Sequence, residues 1–513
     1  MKKKDNLFQL IKSLSKSEKR FFKIYSERHV IGERNNYVRL FDVLDKQRKY
    51  NEKAILKKFA NEKFVRRLAV AKAYLYDLIL KSMNMYHAQN SIDAQIRELL
   101  GNVQFLYEKS LYQQSNKLLN KAKKLVNDYE KWSFLVEILR WQKKLLDAQS
   151  YSQTAEIELQ NLHESYHFLL DKLLNINDFW LLHAKLQYYH THKGMIGNAS
   201  ELKDIKSLMK DDLLQDEAHA KSYEAQLLFY KVYASYYFMT RDFMKCYEYS
   251  KKLVQMIEQR PNLLQVEPML YVQSVNNLLN MAAPMGKAAE SVYYLDSLQK
   301  MRNEKKFNYS LAVQIKLFQA YYYHNLIQCS QGRFKDGVSL AKKMENELKA
   351  YQRHIDSMGL AMLCFYAFQV CFGAADFAYA HVWLQHILVQ EPSEVRQDIY
   401  HFTKILLLIT VYEINDSTLL RSTIISTYRF LYTQKSNYQL DKLILAFLRQ
   451  LTDIKNKTTL KAMFTQLLQD LEALKQNNFE RKVFAYFDFI AWTKSKINDE
   501  SFAKTIATAK KTT

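Results

Sequence analysis

Between residues 61 and 86 the apolar positions fall along one line: Phe64, Leu68, Ala71, Leu75, Leu78 and Ile79 recur at intervals of three and four. That is the period of an α-helix with one face turned to a core. Earlier, Ser15 followed by Glu18 forms a capping-box pattern that opens a helix through SEKRFFKIYSERH. NNYVRLFDVLDKQ and NEKAILKKF predict two more helices, and HAQNS at 87–91 reads as a linker. Beyond it the same rhythm continues to about residue 495. No stretch alternates apolar and polar residues as a half-buried strand would. The pattern predicts an all-α fold.

Short breaks punctuate the helical runs. Gly194 with Gly197, Gly286, Gly332 and Gly373 each follow one amphipathic stretch and precede another. After three turns comes an aromatic residue, two spacers and a small residue: DFMKC (Asp242–Cys246), RFKDG (Arg333–Gly337) and DFAYA (Asp376–Ala380). On these residues the chain resembles the tetratricopeptide-repeat family, whose hairpins carry G-x-Y/F-x-x-A at the turn into the second helix. The fullest copy runs from Tyr230 to Leu253. Ala234 and Tyr237 take the small and aromatic positions of its first helix, and Phe243 and Cys246 those of its second. Gly332, Phe334 and Gly337 form another copy. Phe377 and Ala380 form a third, with Pro392 twelve residues further on. SLYQQSNKLLNKA (Ser110–Ala122) adds Tyr112, Ser115 and Ala122. Small residues at such points let helices approach, and the aromatic ring fills the neighbouring hole.

The anchors Cys246, Ser291, Gly337, Ala380 and Ser422 are 45, 46, 43 and 42 residues apart. This step is nearer the long helical repeats of about 40–47 residues than the tetratricopeptide step of about 34. The resemblance implies a right-handed superhelical solenoid of antiparallel helix pairs at 91–495. A small basic helical domain at 1–90 precedes it, and a basic tail at 496–513, expected to be mobile, follows.

Gly332 and Gly337 also fall one residue short of G-x-x-x-x-G-K-[ST], the phosphate-cradling loop. The lysine that would reach the terminal phosphates is missing, and Val338 stands in its place. AYYYHNLIQCS, just before, has helical rather than strand spacing. A turn is expected here, and no cofactor.

Composition agrees with this picture. Only 9 glycines and 4 prolines occur in 513 residues, as long helices with few connections require. Four cysteines without a C-x-x-C pair read as buried thiols of a reducing, cytoplasmic setting. The basic start is not followed by the apolar core of a secretory signal. The most apolar run, LAMLCFYAFQV (Leu360–Val370), is too short for a membrane span, which needs about 20 residues. The net charge of +22 is uneven: residues 1–90 hold 22 Lys and Arg against 9 Asp and Glu. Lys63, Arg66 and Arg67, with Lys57 and Lys58 before them, are the candidate contacts for nucleic acid or an acidic protein.

His163-Glu164-Ser165-Tyr166-His167 is a formal H-E-x-x-H, which on a helix puts two imidazoles on one face with a glutamate beside them. No further histidine has the spacing of a third ligand, so His163 and His167 are only weak metal candidates. DDLLQDE (Asp211–Glu217) reads as a solvated turn or helix start. The 36 tyrosines either fill wide spaces between helices or line a concave binding face. The expectation is a non-enzymatic interaction scaffold that binds a peptide or protein segment on the concave face, without membrane association. The first alternative is a DNA-binding regulator with a basic head and a repeat domain for sensing or oligomerisation. The second is a zinc hydrolase at His163, Glu164 and His167.

Overall fold

The computed structural model describes residues 5–27, 36–87, 91–151, 156–193, 199–282, 285, 287–304, 307, 310–352, 354–390, 397–433, 439–451, 456–477 and 480–512. Of these, 86% are helical and none is in a strand. Helices close in sequence pack against one another in neighbouring pairs. The described residues divide into one unit that ends at Val232 and another that begins at Tyr233. The division falls inside the helix Tyr223–Met239, ahead of Pro261 and far from residue 90. Pro284 and Pro392 lie outside the described residues, as do Gly194, Gly197 and Gly286.

In the first unit, Asn6–Ser13, Lys16–Glu27, Asn36–Lys46, Glu52–Lys58 and Leu68–His87 surround a core that includes Ile11, Phe22, Phe41, Ile55, Leu75 and Ile79. The capping box forms: the Glu18 amide donates to Ser15 Oγ at 3.2 Å, and the Ser15 amide donates to Glu18 Oε2 at 2.7 Å. One expectation is corrected. The amphipathic segment begins as a 3-10 turn at Lys63–Arg67, and the α-helix starts only at Leu68. A separate apolar core, with Ile96, Leu119, Ile138 and Leu169, joins Ile92–Glu108, Tyr112–Asp128, Trp132–Ala148 and the 38-residue helix Glu156–Lys193.

The second unit holds a large core of buried side chains running from Ile315 to Trp492. Its centre is Ser357–Gly373, which is apolar on every side and buried on every side; Leu363, Cys364, Phe368 and Val370 are each at most 1% exposed. Gly337 and Gly373 work by close approach. A Cβ on Gly337 would stand 2.6 Å from Val370, and one on Gly373 would stand 2.1 Å from the Phe334 ring. Phe334, Cys246 and Ala380 are buried. Ala234 and Tyr237 are half-buried, and Phe377 packs against Phe372 at 5.1 Å. Phe243 departs from expectation: it is 43% exposed, with its nearest ring, Phe238, 6.4 Å away.

The turns share a backbone device that glycine spacing does not show. Ser110, Glu130, Arg241, Ala375 and Asn415 all sit at φ between 50° and 64°, in the left-handed region. At four of them two amides fold back on the helix just ended. Asp242 N donates to Tyr237 O and Arg241 N to Phe238 O; Asp376, Leu111 and Lys131 repeat the first of these bonds, each amide donating to the carbonyl five residues back. An aspartate then caps the next helix three times, Asp242 accepting from Lys245 N, Asp376 from Tyr379 N and Asp416 from Leu419 N. Among the described residues, Gly332 is the one glycine at positive φ, and its 132° lies outside the range of these five.

Residues 502–512 form a helix, and the Phe502 ring lies parallel to Phe487 at 5.5 Å and edge-on to Phe372 at 5.6 Å. Lysines at 504, 510 and 511 made this segment look solvated, but its first aromatic residue anchors it.

Candidate functional site

Three helices of the second unit, Ala288–Asn303, Leu311–Ser330 and Phe334–Tyr351, enclose an open pocket of about 300 Å³. Gln299, Arg302, Tyr321, Lys343, Glu347 and Tyr351 line it. Arg302, in the last turn of its helix, lies over Tyr321 and Tyr322, its guanidinium carbon 4.6 and 5.1 Å from the ring centres. Glu347 takes an ion pair from Arg302 through Oε2 and a 2.7 Å hydrogen bond from the Tyr322 hydroxyl through Oε1. Burial, and then this carboxylate, push the Tyr322 phenol far above its usual range. Tyr322 is thus a permanent donor that fixes Glu347, and Glu347 fixes Arg302. Lys343 is exposed and makes no ion pair among the described residues. Two cations against one carboxylate leave the pocket with an excess positive charge.

Tyrosine–glutamate pairing recurs. Tyr230 donates to Glu217 (2.6 Å), Tyr271 to Glu258 (2.8 Å) and Tyr379 to Glu345 (2.8 Å). The rings fill spaces between helices, as the plainer sequence reading holds, but a neighbouring glutamate rather than solvent takes the hydroxyl. Sequence reasoning missed Arg302 and Glu347. MRNEKK around Arg302 looks like any solvated helix end, and Glu347 lies 45 residues away.

The basic head separates into paired and free cations. Lys19 and Lys23 are bound to Asp45 and Asp42, Arg39 to Glu62 and Lys72 to Asp5. Lys57 and Lys58, in the last turn of Glu52–Lys58, and Arg66 and Arg67, in the following 3-10 turn, are exposed and have no ion pair among the described residues. Lys63 opens that turn, and its side chain lies outside the described set. The two short elements are joined by Phe59–Glu62, and Leu68–His87 after them packs along the head core.

His163 and His167 are exposed on Glu156–Lys193 with ring centres 4.5 Å apart. No group of three possible metal ligands occurs among the described residues. The acidic stretch forms two 3-10 turns capped by Asp211 and Asp216. All four cysteines are buried; burial pushes the Cys364 and Cys371 thiols up to about 12 and Cys246 to about 11. No helix among the described residues is long and apolar enough to cross a membrane. Comparison with protein-family models, curated proteins and solved structures finds no match for this chain.

Proposed function

We propose that this chain is a non-enzymatic, cytoplasmic interaction scaffold that binds an acidic peptide or protein segment. In this reading the helix pairs of 91–495 wind into a right-handed, tetratricopeptide-like superhelix with the binding face on its concave side, and residues 1–90 form a basic head. The observation that carries the reading is the Arg302 pocket. It is open, polar and aromatic, and it displays a guanidinium held rigid by Tyr322 and Glu347 beside Lys343, which has no ion pair among the described residues. Preorganised arginine and tyrosine are the residues that anchor partner side chains. Fluorescence anisotropy with short acidic, neutral and basic peptides tests it. Acidic peptides bind best, and Lys343→Glu or Arg302→Glu weakens them at least about tenfold, or about 1.4 kcal/mol. Acidic peptides binding no better than neutral ones would end this reading.

One observation favours a second reading, nucleic-acid contact by the head. The head neutralises several of its own cations but leaves Lys57, Lys58, Arg66 and Arg67, near one another in sequence, without an ion pair among the described residues. Duplex DNA binding by the whole chain should then fall steeply with salt, and reversing these four charges should flatten the dependence.

A further inference from the structure

The helix Glu156–Lys193 carries two apolar faces, and the fold covers only one. Leu169, Phe179, Leu182 and Leu186 are at most 5% exposed, and Asn175 between them holds Lys221 N and His219 O at 2.9 Å. The opposite face repeats every seven residues through His167, Leu174, Leu181 and Tyr188, joined by Leu170; the last four are 63%, 43%, 67% and 49% exposed in that order. A seven-residue apolar repeat is the seam of a paired helix, and here the seam lies open to solvent.

We infer that this seam pairs with the same seam of a second copy of this chain, running antiparallel. Two features of the sequence along the helix select that occupant. The first is charge. One flank of the seam reads Asp171, Asp178, Lys185 and His192, acidic towards the N-terminus and basic towards the C-terminus. Antiparallel packing sets this flank against its own copy, so that Asp178 meets Lys185 twice across a two-fold axis and Asp171 meets His192. A parallel pair would set it against Tyr166, Leu173, Trp180 and Gln187, where no ion pair forms. Asp171 already binds Lys221 at 2.8 Å, so Asp178 and Lys185, both exposed, carry the selection.

The second feature is shape. In the register that aligns these charges, each large seam residue faces a smaller one: Leu181 faces Ala184, Leu174 faces Thr191 and Tyr188 faces Asn177. Trp180 then lies over Gln187. Alternating large and small residues across a seam lets two helices interdigitate. The overlap from 171 to 192 is about 33 Å long at 1.5 Å per residue.

Sedimentation equilibrium of the intact chain reads the outcome. The wild-type chain is a dimer. Leu181→Glu raises its dissociation constant at least about thirtyfold, as loss of a central apolar anchor does, while circular dichroism is unchanged. Asp178→Lys weakens the dimer about tenfold or more by setting lysine against Lys185, and Asp178→Lys combined with Lys185→Asp restores it. A wild-type monomer at the highest soluble concentration overturns the inference. So does a dimer indifferent to Leu181→Glu, or one that the charge swap does not rescue. The Asp178 variant alters only an exposed side chain, so it remains informative even if Leu181→Glu perturbs the fold.

Discussion

Two helices of this molecule carry apolar side chains on opposite sides, yet they end in different environments. Ser357–Gly373 is surrounded by Leu311–Ser330, Phe334–Tyr351 and Phe377–Leu388, and its whole circumference is core. Glu156–Lys193 packs on one side and leaves Leu174, Leu181 and Tyr188 in water. An apolar circumference therefore states a demand for partners without saying whether the same chain supplies them. In the first helix, substitutions should act on folding. On the open face of the second, they should act on association.

Phe368→Ala should show the largest effect. The ring is fully buried between Phe365, Phe372 and Phe487, and its loss costs about 3–5 kcal/mol, read as a fall in the denaturant midpoint of the second unit. Gly373→Ala comes next. Its new methyl would meet the Phe334 ring, a fixed neighbour, at a cost of about 1–3 kcal/mol. Gly101→Ala is the control: it lies in a helix with nothing within 4 Å of its missing Cβ, and should gain about 0.5–1 kcal/mol. If both glycine variants behave alike, close approach is not what Gly373 provides.

A third change sharpens the contrast through pH. His324 is 3% exposed, with Nε2 3.0 Å from Asn276 Oδ1, and burial pushes its pKa down to about 3 from 6.5. The unfolded chain therefore binds this proton more readily than the folded one. The stability contribution is complete above pH 6.5 and declines as pH falls towards 3, by about 2 kcal/mol at pH 5. His324→Phe should flatten that part of the stability–pH curve. Smallest of all is Leu174→Glu on the open seam, which should move the folding stability of the dissociated chain by no more than about 0.5 kcal/mol. A loss of several kcal/mol there would mean the face is covered within the chain, and the comparison would fail.

The all-helical class was readable because 3.6-residue periodicity runs along the chain and glycine and proline are scarce. Phe334, Cys246 and Ala380 were readable as packing residues for the same reason: a small or aromatic residue just inside a hairpin has few other places to go. Phe243 shows the limit. It has the same local pattern as Phe334, but Phe334 has Gly373 to lie against and Phe243 has no comparable hollow. The start of the helix at Leu68 was obscured because a 3-10 turn and an α-helix share nearly the same apolar spacing. Arg302 and Glu347 could not be paired from the sequence, since their meeting depends on how two helices 45 residues apart are set side by side. The ion pairs that occupy Lys19, Lys23, Arg39 and Lys72 were equally out of reach, because counting lysines does not reveal which carboxylates they meet.

The left-handed residue at the hairpin turns has one more consequence. Serine, glutamate, arginine, alanine and asparagine all occupy it here, at a strain of about 1 kcal/mol each, and no described glycine does. The joints of this molecule are thus specified by the hand of the main chain and not by any letter of the alphabet. Sequence can drift at every joint while the hinge-point between rods stays where it is, so the recurrence is far plainer in dihedral angles than in residues.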